Sequence, residues 1–217
     1  MTSTVFVVDD DPSVRRGVGR LVRLAGYDVE TFASGEEFLN RSPTQEPSCL
    51  VLDVRMPGLT GLDLQEAINK TGDSIPIVFI TGHGDVPMSV RAMKAGAVDF
   101  LQKPFDHHDL LNAIERAVAR DARDRIRRAE IADIRERVNN LTRREYEVFA
   151  LVVTGMLNKQ IGQELGTSEK TVKVHRSRVM QKMRANSVTD LVRFADKVGI
   201  SSQPDHASHS LVPRPVG

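Results

Sequence analysis

Val5-Phe6-Val7-Val8-Asp9-Asp10-Asp11-Pro12 passes from four apolar residues directly into three acidic ones. A short apolar run of this kind reads as a strand buried on both faces, and in open α/β sheets the functional crevice lies at the carboxyl ends of the strands. A second run, Leu50-Val51-Leu52, ends in Asp53. Carboxylates gathered at neighbouring strand tips repel one another and need compensation, for which a hard, oxygen-seeking cation such as Mg²⁺ is a natural source. The pattern points to metal-assisted chemistry at a carboxylate.

Working outward, strands and helices alternate. Thr4–Asp9 reads as a strand, and Asp11 caps the next helix with Pro12 at its first position. Val14, Val18, Leu21, Val22 and Ala25 share one face of that helix, which Gly26 ends. Strands follow at Val29–Phe32, Leu50–Asp53, Ile77–Thr81 and Phe100–Lys103. Helices are expected after the Ser34-Gly35-Glu36-Glu37 capping box, over Gly61–Lys70, near Pro87–Lys94 and near His108–Arg120. Five strands alternating with helices argue for a parallel sheet covered on both faces.

The second half has another rhythm. Thr142-Arg143-Arg144-Glu145 is a capping box, and Val148, Leu151 and Val152 form the stripe of the helix it opens. Asn158–Leu165 reads as a short helix, Gly166-Thr167-Ser168 as a turn, and Ser168 as the cap of a third helix. In that helix Val172, His175, Val179 and Met183 share one face, while Lys170, Lys173, Ser177 and Gln181 share another. A fourth helix starts at Ser187. Two short helices around a tight turn, the second with a basic polar face, suit entry into a DNA major groove.

Charge supports this division. Residues 1–120 hold 12 Lys+Arg and 17 Asp+Glu, a net −5, and residues 121–217 hold 18 and 12, a net +6. An acidic half joined to a basic half implies two domains with different partners, nucleic acid being favoured for the second. No apolar stretch is long enough to span a membrane, and the N-terminus lacks a basic-then-apolar secretion signal. The single Cys49 cannot form an internal disulfide, fits a reducing, cytoplasmic setting, and reads as a small core residue. His83, in the Thr81-Gly82-His83-Gly84-Asp85 loop, reads as structural or modulating, since no His or Cys cluster has zinc spacing.

The motifs VFVVDDDP, LVLDVRMPGLTG, VFITGHGD and MKAGAVDFLQKPF, in that order, resemble a response-regulator receiver domain over residues 3–120. The resemblance implies a flavodoxin-like α/β fold, strand order 2-1-3-4-5. It implies Asp53 as phosphoacceptor, with Asp10, Asp53 and the backbone carbonyl of Arg55 as Mg²⁺ ligands and Asp9 acting indirectly through metal-bound water. Lys103, after which a cis bond to Pro104 is expected, and Thr81 would bind the phosphoryl group, and Phe100 occupies the switch-aromatic position. The run LTRREYEVFALVVTGMLNKQIGQELGTSEKTVKVHRSRVMQKM resembles the LuxR-type helix-turn-helix of NarL/FixJ response regulators, an all-α domain placed at residues 142–199. Here Lys173 and Val174 stand where relatives contact bases, although Val174 could equally be core, and Ser177 replaces a longer polar residue of some relatives. Lys170, Arg176 and Arg178 read as phosphate contacts, and Asn158, Lys159, Ser168 and Thr171 complete the DNA-facing set.

Residues 121–141 read as a helical linker whose Ile131, Ile134, Val138 and Leu141 repeat in heptad-like spacing, open to a solvated helix or to a dimer-dependent helix pair. Residues 200–217 read as a disordered tail. The expected function is a transcription regulator of a two-component system. A sensor histidine kinase phosphorylates Asp53, the receiver homodimerises through its fourth helix, fifth strand and fifth helix, and paired DNA half-sites are bound. The protein is not a turnover enzyme, and the acyl phosphate is lost by slow self-hydrolysis. A rival, a haloacid-dehalogenase-type phosphatase, needs a carboxylate two residues after the nucleophile, where this chain has Arg55. A second rival is a DNA-binding protein independent of phosphorylation, against which the Asp10, Asp53, Thr81 and Lys103 set argues.

Overall fold

The computed structural model describes residues 3–71, 75–82 and 86–200. His83 and the 201–217 stretch of the expected tail lie outside them. In chain order the elements are β1 (Thr4–Val8), α1 (Pro12–Leu24), β2 (Asp28–Phe32), α2 (Gly35–Leu39), β3 (Ser48–Asp53), α3 (Gly61–Thr71), β4 (Ile77–Thr81), α4 (Val86–Lys94) and β5 (Asp99–Gln102). They continue with α5 (His107–Asn139), α6 (Arg143–Val153), α7 (Asn158–Glu164), α8 (Glu169–Lys182) and α9 (Val188–Val198). The chain divides into two compact units, the first ending at Ile126 and the second starting at Arg127.

In the first unit, all neighbouring strands pair in parallel in the order β2-β1-β3-β4-β5. Side chains alternate across a strand, so each central strand feeds two cores. Phe6, Val8, Leu50, Leu52, Ile77 and Phe79 face one core, with Phe38 of α2, Leu64 and Ile68 of α3 and Ala92 of α4. Val5, Val7, Cys49, Val51, Val78 and Ile80 face the other, with Val18 and Val22 of α1 and Leu110, Ala113, Ile114 and Ala117 of α5. Cys49 is fully buried and its thiol is pushed well above the ordinary range by desolvation, as fits a packing residue. The caps mostly follow the sequence reading. Asp11 accepts from Ser13 N–H at 2.7 Å, and Ser34 accepts from Glu37 N–H at 3.2 Å. Glu37, however, reaches back one residue beyond its N-cap to Ala33 N–H.

The helix expected near His108–Arg120 does not stop there. It runs 33 residues as α5, because nothing between His107 and Asn139 is proline or glycine to end it. Its 121–126 portion belongs to the first unit. Asp121, 1% exposed, accepts from Ser48 N–H at 2.9 Å, and Arg125 bonds Asp121 at 2.6 Å and the carbonyls of Thr44 and Gln45. The heptad-like stripe also has a use inside one chain: Ile134 is buried in the core of the second unit, with Val138 and Leu141 packed against it.

That core is built on Val148, Phe149, Val152, Ile161, Val172, Val179, Met183, Leu191 and Ala195. Its polar fastening is Glu145, 3% exposed. Glu145 closes the capping box with Thr142 and accepts from the Lys182 ammonium at 2.6 Å, and Lys182 also donates to the Asn140 carbonyl. The Lys182 hydrogen bond, followed by those from Thr142, holds the Glu145 carboxyl down to about 2 against an ordinary 4.5. A group depressed on folding contributes its stability above its unfolded value and loses it as pH falls towards the folded one. Calorimetry of the full chain should therefore show the second unit's transition weakening as pH drops from 4.5 towards 2. Glu145→Gln should flatten that dependence and lower its Tm at pH 7 by about 5 °C.

Candidate functional site

Register brings the strand tips to one edge. Val8 lies beside Leu52, Asp53 beside Ile80, and Thr81 beside Gln102, so Asp9, Asp53, Thr81 and Lys103 emerge together. Carboxylate oxygens of Asp9, Asp10 and Asp53 lie within 4.8 Å of one another. Asp9 is fully buried and held at both oxygens, Oδ1 by the Asp11 N–H at 2.9 Å and Oδ2 by the Lys103 ammonium at 2.6 Å. Lys103 is followed by a cis bond to Pro104, and its N–H is bonded to the Thr81 carbonyl at 2.7 Å. Its ammonium stands 3.6 Å from Asp53 Oδ1, outside hydrogen-bonding range.

Asp53 is the under-served member. Its Oδ1 is buried without a hydrogen-bond partner. Burial pushes its carboxyl above the ordinary value; Lys103 opposes this, while Asp9 and then Asp10 add to it. Asp10 is exposed, and Thr81 is fully buried. Phe100 is half-buried and tilted against Phe79 at 6.2 Å, its place in the sheet fixed by packing. Arg55 has an exposed side chain. Asp11, whose carboxyl is lowered chiefly by the Ser13 N–H, is spent as a helix cap. Three carboxylates with one lysine paired to Asp9 and 3.6 Å from Asp53 form an all-oxygen set that fits a hard divalent cation.

Two contributors were not evident in the sequence reading. Gly61 opens α3 hard against the end of β3: a Cβ there would lie 2.2 Å from the Asp53 carbonyl oxygen, so no other residue fits without moving the end of β3. Arg15 donates from one guanidinium nitrogen to the carbonyls of Asp9 at 2.6 Å and Asp10 at 2.9 Å. Its signal was its place one helical turn after the Asp11 cap, since helical side chains lean towards the N-terminus.

In the second unit, Val172, Val179 and Met183 bury one side of α8. Lys170, Thr171, Lys173, Val174, Ser177 and Arg178 are exposed on the remainder, as are Lys159 and Ser168. Val174 is 47% exposed, which removes the core alternative for it. Ser168 caps α8 through the Thr171 N–H at 3.1 Å. Arg176, half-buried, donates to Asn158 Oδ1 at 2.9 Å, so this pair ties α7 to α8 and presents its charge from a fixed position. His175 is half-buried, with its Nδ1 enclosed and unbonded.

Comparison with known proteins agrees with this geometry. Residues 5–115 match the response regulator receiver domain, and residues 139–195 match the bacterial regulatory proteins of the luxR family. Nodulation protein W of Bradyrhizobium diazoefficiens is 50% identical over 198 residues, covering 91% of this chain and 87% of that protein. The response regulator protein TodT of Pseudomonas putida is 44% identical over 196 residues, covering 90% and 86%. Among solved structures, the response regulator StyR shares 49% identity with a TM-score of 0.81, covering 91% of this chain and all of that one. Full-length FixJ from B. japonicum shares 40% with a TM-score of 0.56, covering 93% and 100%. With a receiver sheet whose strand tips converge on an acidic pocket and a helix-turn-helix with an exposed basic face, the chain belongs to the two-component response regulators that join a receiver to a LuxR-type DNA-binding domain.

Proposed function

We propose that Asp53 is the phosphoacceptor, and that its modification by a histidine kinase governs homodimerisation and promoter binding in the cytoplasm. The observation that carries the reading is the buried, unpartnered Oδ1 of Asp53, set among two further carboxylates and one lysine. A carboxylate oxygen attacks the phosphorus of a phosphohistidine in line. The P–N bond breaks as the P–O bond forms, and the imidazole leaves with the electron pair and takes up a proton. Mg²⁺, held by Asp10, Asp53 and the Arg55 carbonyl with Asp9 acting through water, would neutralise charge between two anions that otherwise repel. Lys103, now bonded to Asp9, is close enough to exchange that partner for a phosphoryl oxygen, and the Thr81 hydroxyl can donate to another. Phe100 lacks a hydroxyl, so any switch at this position works by packing alone. The acyl phosphate is then lost by slow self-hydrolysis.

At the basic helix, Lys170, Arg176 and Arg178 position the domain on phosphates, while Lys173 and Val174 reach base edges, with Asn158, Lys159, Ser168, Thr171 and Ser177 flanking them. No helix among the described residues is long and apolar enough to cross a membrane, and no observation favours an integral-membrane role.

Asp53→Asn should abolish uptake from a small-molecule phosphodonor, read by intact mass, along with phosphorylation-dependent dimerisation read by light scattering, while leaving weak DNA affinity intact. Because burial raises the Asp53 carboxyl, its ionised form costs the fold stability once pH exceeds its folded value. In metal-free buffer at pH 7 the same variant should therefore resist urea better than the parent, and should lose the stabilisation that Mg²⁺ gives the parent. For the second unit, Arg178→Ala should weaken binding to target and random duplexes alike and reduce the salt slope by about 1. Lys173→Ala should instead cost about 1–3 kcal/mol of preference for the target sequence in competition binding.

A further inference from the structure

Asp9 and Asp10 are neighbours in the chain, but they are held in different ways. The Asp9 carboxylate is pinned at both oxygens by the Asp11 N–H and the Lys103 ammonium. No hydrogen bond or ion pair holds the Asp10 carboxylate among the described residues, and it is exposed. An exposed carboxylate on a loop samples several rotamers, and each one away from the pocket subtracts from its value as a ligand. Its position is therefore set by the peptide units on either side of it. Those are what Arg15 grips, with one guanidinium nitrogen bridging the Asp9 and Asp10 carbonyls at 2.6 and 2.9 Å.

The grip is itself well supported. Arg15 is half-buried on the first turn of α1, and its N–H is bonded to the Asp11 carbonyl, so the helix start and the loop are tied to each other in both directions. Two carbonyls taken by one charged donor cannot rotate independently. The loop is thereby held with its carboxylates towards Asp53, although three negative groups there would otherwise push it open. A charge-assisted bond to a carbonyl is stronger than a neutral one, and the longer arginine side chain brings two N–H groups of one guanidinium nitrogen to the two carbonyls, which a lysine ammonium on its shorter stem does not reach from the same helix position.

We propose that Arg15 is a positioning residue of the acidic pocket: by bridging the Asp9 and Asp10 carbonyls it presets the Asp10 carboxylate for a divalent cation, and through that cation for phosphoryl uptake at Asp53. This rests on the reading of Asp10 and Asp53 as cation ligands. Arg15 touches neither the cation nor the phosphoryl group, so its contribution lies in affinity for the cation, with little effect on the transfer step once the cation is bound.

The guanidinium also brings positive charge towards the pocket, and this separates two accounts of any effect. If Arg15 acts only through its charge, Arg15→Met tightens Mg²⁺ binding by relieving repulsion and Arg15→Lys leaves it unchanged. If it acts by holding the loop, both variants weaken Mg²⁺ binding. The test is calorimetric titration of the full-length protein with MgCl₂, for the parent, Arg15→Lys, Arg15→Met and Asp53→Asn. The expected result is an Mg²⁺ dissociation constant raised about tenfold in both Arg15 variants. Alongside it, the Mg²⁺ concentration for half-maximal uptake from acetyl phosphate should rise in step, while the rate at saturating Mg²⁺ stays within about twofold of the parent. Thermal unfolding without metal should be nearly unchanged, because Asp9 keeps its own two partners. An Arg15→Lys variant that binds Mg²⁺ like the parent, or an Arg15→Met variant that binds it more tightly, overturns the proposal while leaving the pocket assignment standing. A parent that gives no Mg²⁺ binding, or an Asp53→Asn variant that binds as well as the parent, overturns the pocket assignment and this inference with it.

Discussion

The structure turns on an electrostatic imbalance. Three carboxylates converge where β1 and β3 end, and Lys103, delivered by the strand at the far side of β4, reaches two of them, Asp9 and Asp53. Lys103 makes its short contact with Asp9 and only a long one with Asp53, so the charge it leaves uncompensated falls on Asp53. A fully satisfied pocket would have no reason to take up a cation or to give up its lysine. The parallel sheet, the cores on both its faces and the glycine that lets α3 begin against β3 serve to hold that imbalance in place.

Much of this was legible in the sequence, because the signals were local. Apolar runs ending in Asp9 and Asp53 announced strands buried on both faces, and the structure distributes their side chains between two cores. The resemblance then supplied the strand order and the roles of Asp53, Thr81 and Lys103. What local signals could not show was pairing at a distance. Which carboxylate Lys103 would grip depends on the register of β1, β3, β4 and β5 together. Arg15 passed as one of several arginines on α1, since only the fold shows that one of its guanidinium nitrogens meets two carbonyls. Val174 was open between base contact and core; at 3.6 residues per turn it falls on the side of α8 away from Val172, Val179 and Met183, and it is 47% exposed.

The segment between the two halves taught a different lesson. Charge and an absence of breakers made residues 121–141 look like a solvated rod, and the isoleucine spacing looked like a seam for a second helix. The apolar residues of this segment are sparse. A helix needs only one or two anchors when the surface receiving it is already built. Asp121 and Arg125 fasten the early turns to the β3 side of the receiver through hydrogen bonds rather than hydrophobic area. Ile134 enters the core of the second unit, with Arg137 donating to the Met183 carbonyl beside it.

That division within one continuous helix bears on how the protein can be taken apart. Ile134 and the Asn140 carbonyl that receives Lys182 lie upstream of the capping box at Thr142. A fragment begun at that cap would therefore carry the DNA-reading surface on a body missing part of its own interior. One begun at Arg127 would keep that interior whole, and would leave Asp121 and Arg125 behind to close the receiver.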